Sequence, residues 1–226
     1  MQILNVWRLP LVGSLLVLLN YLFLSAAYRA GELSLVYPIA RGAMLMFLPP
    51  LAFVTIGERL QPVGWAAIVI IIAGIAALRG NGRGLSATAT SYAILAALTA
   101  ACYTIWDKHA IQELSPLAYY AAYTVIVGIA YGLVLLRAAK PEEFRTVWRA
   151  ERNVIIRVGA LNSGSYLLTL AALQTGQASY VIAVRQLSIA VGALLGWRLL
   201  GESLPPAKRA GIVLLVTGCL LLALTR

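Results

Sequence analysis

Residues 33–62 read LSLVYPIARGAMLMFLPPLAFVTIGERLQP, an apolar run that contains one arginine and ends in a Gly-Glu turn. The pattern recurs 144 residues later, so that Arg41 aligns with Arg185 and Glu58 aligns with Glu202. Two parts of the chain therefore carry the same unusual buried charge, and we interpret them as a sequence repeat. Further aligned pairs are Leu60 with Leu204, Pro62 with Pro206, and Gly74 with Gly218.

The composition is that of an integral membrane protein. Of 226 residues, 61% are hydrophobic and 12% are charged, and the mean hydropathy is +0.85. A soluble core of this size could not bury so many apolar side chains, so the remainder must face lipid. The 18 basic and 8 acidic residues give a net charge of +10. Most basic residues lie in short segments between apolar runs, where they indicate orientation and contact with anionic lipid, and we expect no nucleic-acid partner.

No residue pattern in the sequence indicates a cofactor or a metal ion. Cys102 and Cys219 both fall inside apolar runs, which favours buried thiols over a disulfide or a metal pair. The first apolar run lacks a small-residue cleavage site and is long enough to cross a membrane, so we expect no removable signal peptide.

Eight apolar segments are long enough to cross the bilayer as helices, since the hydrocarbon core takes about 20 residues. They are too long and too evenly apolar to be the strands of a barrel. Residues 137–153 carry charges of both signs and two aromatic side chains, which predicts an interfacial strap. The predicted spans are Leu9–Tyr28, Leu33–Gly57, Gln61–Leu78, Ala87–Trp106, Ser115–Leu136, Val154–Gln174, Gln177–Trp197 and Pro205–Leu224.

The two repeats resemble the EamA branch of the drug/metabolite transporter superfamily. Each has an arginine-bearing helix, a turn that reads GERLQP or GESLPP, and a last helix that reads WAAIVIIIAGIAAL or AGIVLLVTGCLLLAL. The stretches AYRAGELSLVYPIARG and SYVIAVRQLSIAVGALLGWRLLGE are similar to bacterial permeases of that branch. The resemblance covers essentially the whole chain. It implies a multi-pass carrier of the bacterial cytoplasmic (inner) membrane, with ten helices in two inverted repeats and a substrate cavity between them.

The chain departs from this family pattern in its first repeat. Residues 1–84 hold three predicted spans, a partial first repeat, and residues 85–226 hold five, a complete second repeat. The expected fold class is an all-α membrane protein of about eight transmembrane helices in two inverted repeats, three plus five. Three explanations remain open: a gene model that starts late, a natural fragment, or a partner that supplies the missing pair of helices.

Two indications of orientation disagree. Lys and Arg are much more numerous on the side of the membrane opposite the chain termini, so the positive-inside rule places both termini outside the cytoplasm. The family resemblance implies instead that both termini are cytoplasmic.

Arg41 and Arg185 are the strongest candidates for the substrate cavity. Arg41 lies about eight residues, or roughly 12 Å, into its helix, and the repeat places Arg185 at the same depth. A charge there costs about 2.5–3.5 kcal/mol and should face a cavity, a carboxylate or helix-end carbonyls rather than lipid. Both arginines could bind an anionic or carbonyl-rich substrate through bidentate hydrogen bonds. Alternatively, each locks its own repeat by bonding unwound backbone near Pro38 or near its symmetry mate.

Other polar side chains inside the apolar runs need hydrogen-bond partners, which makes them candidates for the cavity wall. Tyr37-Pro38 predicts an irregular helix just before Arg41, and carriers place binding sites at such breaks, although packing alone is the alternative. Gln186 directly follows Arg185 and is a candidate second donor. The remaining candidates are Tyr103, Asn162, Tyr166 and Tyr180.

Asp107 is the candidate for coupling transport to an ion. Proton-coupled relatives in the superfamily use a carboxylate on the first helix of the unit, and the resemblance assigns that position to Asp107. The residues themselves favour a different interpretation, because Asp107-Lys108-His109 followed by Glu113 is typical of a solvated helix end. Both interpretations remain open, and we expect His109 at the membrane interface.

The turns before the last helix of each repeat carry Glu58 and Glu202. A carboxylate followed by proline at a helix junction predicts a cap near the N-terminus of the next helix. The small residues of those last helices predict close helix packing or a homodimer contact. They are Ala66, Ala73, Gly74, Ala77, Gly211 and Gly218.

Three functions compete. A secondary carrier that moves a small metabolite or drug by alternating access requires the duplication, buried polar groups and no nucleotide site, and the absence of a GxxxxGK[ST] motif fits it. A non-transporting or truncated component that assembles with a partner would explain the missing helices. An intramembrane enzyme is disfavoured, because the sequence has no HExxH and no GxSxG motif.

Overall fold

Eight α-helices make up the part of the chain that the computed structural model describes, namely residues 7–31, 33–79, 86–138, 141–186, 188–189, 191 and 205–224. In chain order they are α1 (Arg8–Ala30), α2 (Leu33–Ile56), α3 (Pro62–Arg79), α4 (Ala87–Glu113), α5 (Pro116–Ala138), α6 (Pro141–Thr175), α7 (Ala178–Gln186) and α8 (Pro206–Leu224). Four of them begin at a proline, because proline has a preset φ and the first turn of a helix does not need its missing N–H.

The helices follow the apolar segments of the sequence and confirm an all-α, multi-pass membrane protein. Five of the described helices contain stretches long and apolar enough to cross a bilayer, and Pro62–Ala77 and Arg209–Leu224 form shorter apolar helices. Large apolar side chains are exposed along them; Leu161 is 75% and Leu224 81% accessible. Such faces suit contact with lipid. The end of the predicted span Gln177–Trp197, from residue 192, lies outside the described residues, as does Glu202.

Two predicted boundaries are wrong, and both errors concern charged residues that continue a helix. The predicted strap at residues 137–153 is mostly the beginning of α6, a single helix of 35 residues. Its length of about 52 Å exceeds the roughly 30 Å hydrocarbon core, so its charged first turns can lie in the polar region of the membrane. Helix α4 likewise continues past the predicted end at Trp106 to Glu113.

The chain forms two compact units. One comprises Met1–Leu18 and Trp106–Thr175, and the other comprises Leu19–Ile105 and Gly176–Arg226. In the first unit, α5 packs against α6. In the second, α3 packs along α8, and both α3 and α7 contact α2.

The pairing of α3 with α8 is reciprocal. Gly74 and Gly218 occupy aligned positions of the repeat, and each faces the backbone of the other helix so closely that a side chain would collide with it. As residue numbers rise along α3, their partners on α8 fall, so the two helices are antiparallel. The atoms that an added Cβ would meet are Leu215 N at 2.9 Å and Gly211 O at 3.0 Å for Gly74, and Ile71 N at 3.1 Å and Ala67 O at 3.0 Å for Gly218.

Glu58 caps a helix that is distant in the sequence. The turn that carries it begins at Gly57, whose φ of 68° lies in the left-handed region that favours glycine. The Glu58 carboxylate accepts hydrogen bonds from Ala178 N at 2.7 Å, from Ser179 N at 3.4 Å and from Ser179 Oγ at 3.3 Å. It therefore caps the N-terminus of α7, 120 residues away.

Candidate functional site

A buried carboxylate in the last two turns of α4 forms the centre of the first candidate site. Asp107 is 0% exposed. The Tyr119 hydroxyl of α5 donates a hydrogen bond to its Oδ1 at 2.6 Å, and the Tyr166 hydroxyl of α6 donates to its Oδ2. The interpretation of Asp107 as part of a solvated helix end is therefore wrong. The carboxylate instead joins three helices.

Further aromatic side chains surround this carboxylate. Tyr119 and Tyr123 stand four residues apart on one face of α5, with ring centroids separated by 5.3 Å. The ring of Tyr123 meets that of Tyr166 at 6.1 Å with an edge-on angle of 77°. The Tyr120 hydroxyl donates to Ser163 Oγ at 2.7 Å. These contacts fix the position of the two phenols that bind Asp107.

Helix α1 approaches the same cluster through a glycine. A Cβ added at Gly13 would collide with the Tyr119 hydroxyl. Nearby, the Trp106 indole donates from Nε1 to the Leu9 carbonyl at 2.8 Å. The start of α1 therefore closes one side of the Asp107 cluster.

The arrangement can respond to a proton. An ionised carboxylate only accepts hydrogen bonds, whereas a protonated one also donates. With Asp107 ionised, both phenols can donate to it in charge-assisted bonds, which are stronger than neutral ones. Protonation turns one carboxyl oxygen into a donor, so the hydrogen bonds that link α4 to α5 and α6 must rearrange.

The second candidate site centres on Arg41 in the other unit. The Arg41 guanidinium lies over the ring of Tyr37, one turn earlier on α2, with Cζ 5.6 Å from the ring centroid, in cation–π range. Arg41 is half-buried. The structure thus brings together two of the predicted cavity residues, Arg41 and Tyr37.

Gln186 belongs to this second cluster. It lies at the end of the described α7 and is 2% exposed. Its Nε2 donates to the Arg41 carbonyl at 2.7 Å and lies 3.9 Å from the Met44 sulfur. Its Oε1 is buried and has no hydrogen-bond partner among the described residues. Its position after Arg185 predicts that Gln186 donates to substrate, whereas in this structure its donor group binds the backbone of α2.

The other predicted cavity residues differ in their exposure. Tyr103 on α4 and Tyr180 on α7 are buried, Arg185 is half-buried, and Asn162 on α6 is exposed. Their role in a cavity stays a prediction. His109 is exposed, and its place at the membrane interface stays a prediction.

Sequence reasoning missed Tyr119, Tyr120, Tyr123 and Ser163. The stretch LAYYAAY at residues 117–123 did contain a signal, because tyrosines at 119 and 123 must share one face of a helix. Without a partner in view, each single tyrosine also fits an interfacial anchor.

Other features of the described residues bear on cofactors and cavities. A cavity of about 300 Å³ in the second unit is lined almost wholly by apolar side chains of α2, α3 and α4, and by none of the predicted site residues. No group of three or more His, Cys, Asp or Glu side chains that could hold a metal occurs within the described ranges. Cys102 and Cys219 are free thiols, of which Cys219 is buried and Cys102 is half-buried.

Comparisons with known proteins agree with this architecture. A solved crystal structure has a similar fold, with a TM-score of 0.73 over 98% of this chain and 78% of that chain, at 17% sequence identity. No curated protein matches the chain. The family model described as the EamA-like transporter family matches residues 87–224, from the start of α4 to the end of α8. That family consists of transporters rather than enzymes. The chain is therefore an integral membrane protein that belongs to the EamA-like transporter family.

Proposed function

We propose that the chain is a secondary-active carrier of the bacterial cytoplasmic membrane, which moves a small metabolite or drug by alternating access and couples this movement to protons at Asp107. The observation that carries the proposal is the burial of Asp107 between two phenol donors on different helices. A buried ionisable group in a membrane is costly and is generally retained for function. Membership of a transporter family and the reciprocal packing of α3 with α8 support the same conclusion.

The coupling step follows from the hydrogen bonds of the carboxylate. While Asp107 is ionised, Tyr119 and Tyr166 hold α5 and α6 against α4. A proton on Asp107 removes the charge and weakens this link, because neutral hydrogen bonds are weaker than charge-assisted ones. The protonation state thus biases the relative packing of these three helices, and a carrier needs such a bias to change its open side.

The test is transport into proteoliposomes with and without an imposed pH gradient, using a panel of labelled small acids, amines and neutral drugs. We expect gradient-driven uptake of at least one panel member by the wild type. Asp107→Asn should lower that uptake at least tenfold, while exchange of labelled for unlabelled substrate continues without a gradient. Tyr166→Phe should have an intermediate effect, because Tyr119 still donates to the carboxylate.

Glu113→Gln is the matched control. Glu113 ends the same helix as Asp107 but is exposed, so its neutralisation should leave gradient-driven uptake unchanged. Unaltered uptake by Asp107→Asn would show that the carboxylate does not couple protons. If wild-type protein transported no panel member, the carrier proposal would fail and a non-transporting component would be favoured.

A further inference from the structure

Gln186 and Arg41 offer complementary groups to a ligand. The Gln186 amide must present its nitrogen to the Arg41 carbonyl, because the reverse placement would put two acceptor oxygens 2.7 Å apart. The amide oxygen, Oε1, is therefore the atom that does not bind the Arg41 carbonyl. It is a buried acceptor with no partner among the described residues. Buried polar groups nearly always have partners, so an exception needs an explanation.

The Arg41 side chain supplies the opposite chemistry. Its guanidinium lies against the Tyr37 ring, and no carboxylate of the described residues forms an ion pair with it. A guanidinium carries five N–H donors in a planar fork that fits a carboxylate in a bidentate manner. Arg41 thus provides a cationic donor on its side chain. Its backbone carbonyl binds Gln186 Nε2 and so fixes the position of Gln186 Oε1.

We propose that Arg41 and Gln186 form the substrate subsite of the carrier and that they select a small hydroxy acid. The ligand's carboxylate binds the Arg41 guanidinium, and a neighbouring hydroxyl donates to Gln186 Oε1. An amino acid fits less well, because its ammonium group would lie near the Arg41 cation and would have only one neutral acceptor. This inference rests on the proposed carrier function and names its substrate class.

The burial of Gln186 also indicates how such a ligand is enclosed. At 2% exposure, its amide cannot be reached while α2 and α7 remain in contact, so the ligand enters when these two helices separate. When they close without a ligand, Oε1 loses water and gains no partner, which costs free energy. A bound hydroxyl removes that cost. Ligand binding and helix closure are therefore linked.

The test is equilibrium binding to purified protein in nanodiscs, with no pH gradient and with matched ligands. One competition series uses labelled lactate as the probe and compares unlabelled lactate, propionate and alanine as competitors. A second series uses labelled malate and compares unlabelled malate, succinate and aspartate. We expect at least one hydroxy acid to bind wild-type protein about tenfold more tightly than its deoxy and amino counterparts. Gln186→Leu should bind that hydroxy acid and its deoxy counterpart equally, and Arg41→Gln should bind neither.

Two further variants keep the test decisive. Gln174→Leu is the control, because Gln174 also donates from Nε2 to a helix carbonyl, that of Ile111 at 3.5 Å, but is exposed. It should retain the wild-type preference. Gln186→Met has nearly the size of glutamine but no strong acceptor, so it should bind the hydroxy acid and its deoxy counterpart equally. If Gln186→Leu does not fold, this variant still decides the question.

Equal binding of hydroxy and deoxy acids to wild type, or binding of no acid in the panel, would overturn the inference. Hydroxy-acid preference that survives in Gln186→Leu would overturn the role of Gln186. Failure of the carrier proposal is separately visible, since a protein that binds hydroxy acids but shows no gradient-driven uptake retains this subsite and loses only the transport function.

Discussion

Replacement of Gly218 by alanine should destabilise the protein through its contact with the opposite helix. The added Cβ would lie 2.6 Å from Ile71 Cγ1, 3.0 Å from Ala67 O and 3.1 Å from Ile71 N. The Ile71 side chain is β-branched and has one preferred χ1 rotamer in a helix, and the two backbone atoms can yield only if α3 and α8 move apart. Overpacking of this kind costs about 1–3 kcal/mol. The better helix propensity of alanine returns up to about 1 kcal/mol, which leaves a net loss of up to about 2 kcal/mol.

The assay is thermal unfolding of purified protein in detergent, where a loss of up to about 2 kcal/mol corresponds to a decrease in Tm of up to about 8 °C for a chain of this size. Gly74→Ala should lower the Tm by a similar amount, since its Cβ would meet Leu215 N at 2.9 Å. The double variant should lose less than the sum of the two losses, because one separation of the helices relieves both contacts.

Gly128→Ala and Gly132→Ala are matched controls within an apolar helix. A Cβ at either glycine of α5 meets nothing within 4 Å, so these variants should keep or raise the Tm. If Gly74→Ala and Gly218→Ala proved as stable as these controls, the close approach of α3 and α8 would be refuted.

The remaining predictions concern the turn after α2. Gly57→Ala should lower the unfolding free energy by about 1 kcal/mol, because φ is 68° there, whereas no atom within 4 Å opposes the new methyl group; a Tm equal to that of Gly128→Ala would contradict this. Glu58→Ala should cost about 1 kcal/mol through loss of the cap on α7, and Glu58→Gln should cost less since it keeps one acceptor. Thermal unfolding beside the exposed control Glu151→Ala measures both effects, and equal Tm values for Glu58→Ala and Glu151→Ala would exclude the cap.

The helices could be predicted from sequence because the bilayer imposes a length and a polarity on each span. The same rule failed where charged residues continue a helix beyond the apolar layer, as Pro141–Asn153 does at the start of α6. The local polarity of the sequence indicates where a span leaves the lipid. It does not indicate where the backbone hydrogen bonds of the helix end.

The candidate sites could be predicted only in part, because their contacts join distant residues. Arg41 and Tyr37 lie one turn apart, so their contact follows from helix geometry. The hydrogen bonds of the Asp107 carboxylate come from Tyr119 and Tyr166, which are 12 and 59 residues away. Its neighbours in sequence, Lys108 and His109, indicated a solvent-exposed helix end instead. The cap that Glu58 makes on α7 could not be predicted for the same reason, since its partner at Ala178 is 120 residues away.

For the carrier proposed above, the reciprocal packing of Gly74 and Gly218 has an energetic consequence. A helix pair whose backbone contacts are equivalent when the two helices are interchanged contributes nearly the same free energy in both orientations. It can act as a pivot, but it cannot favour one orientation over the other. Any resting preference must come from positions where the repeats differ, and the replacement of Gly42 by Gln186 at the aligned position is one such difference.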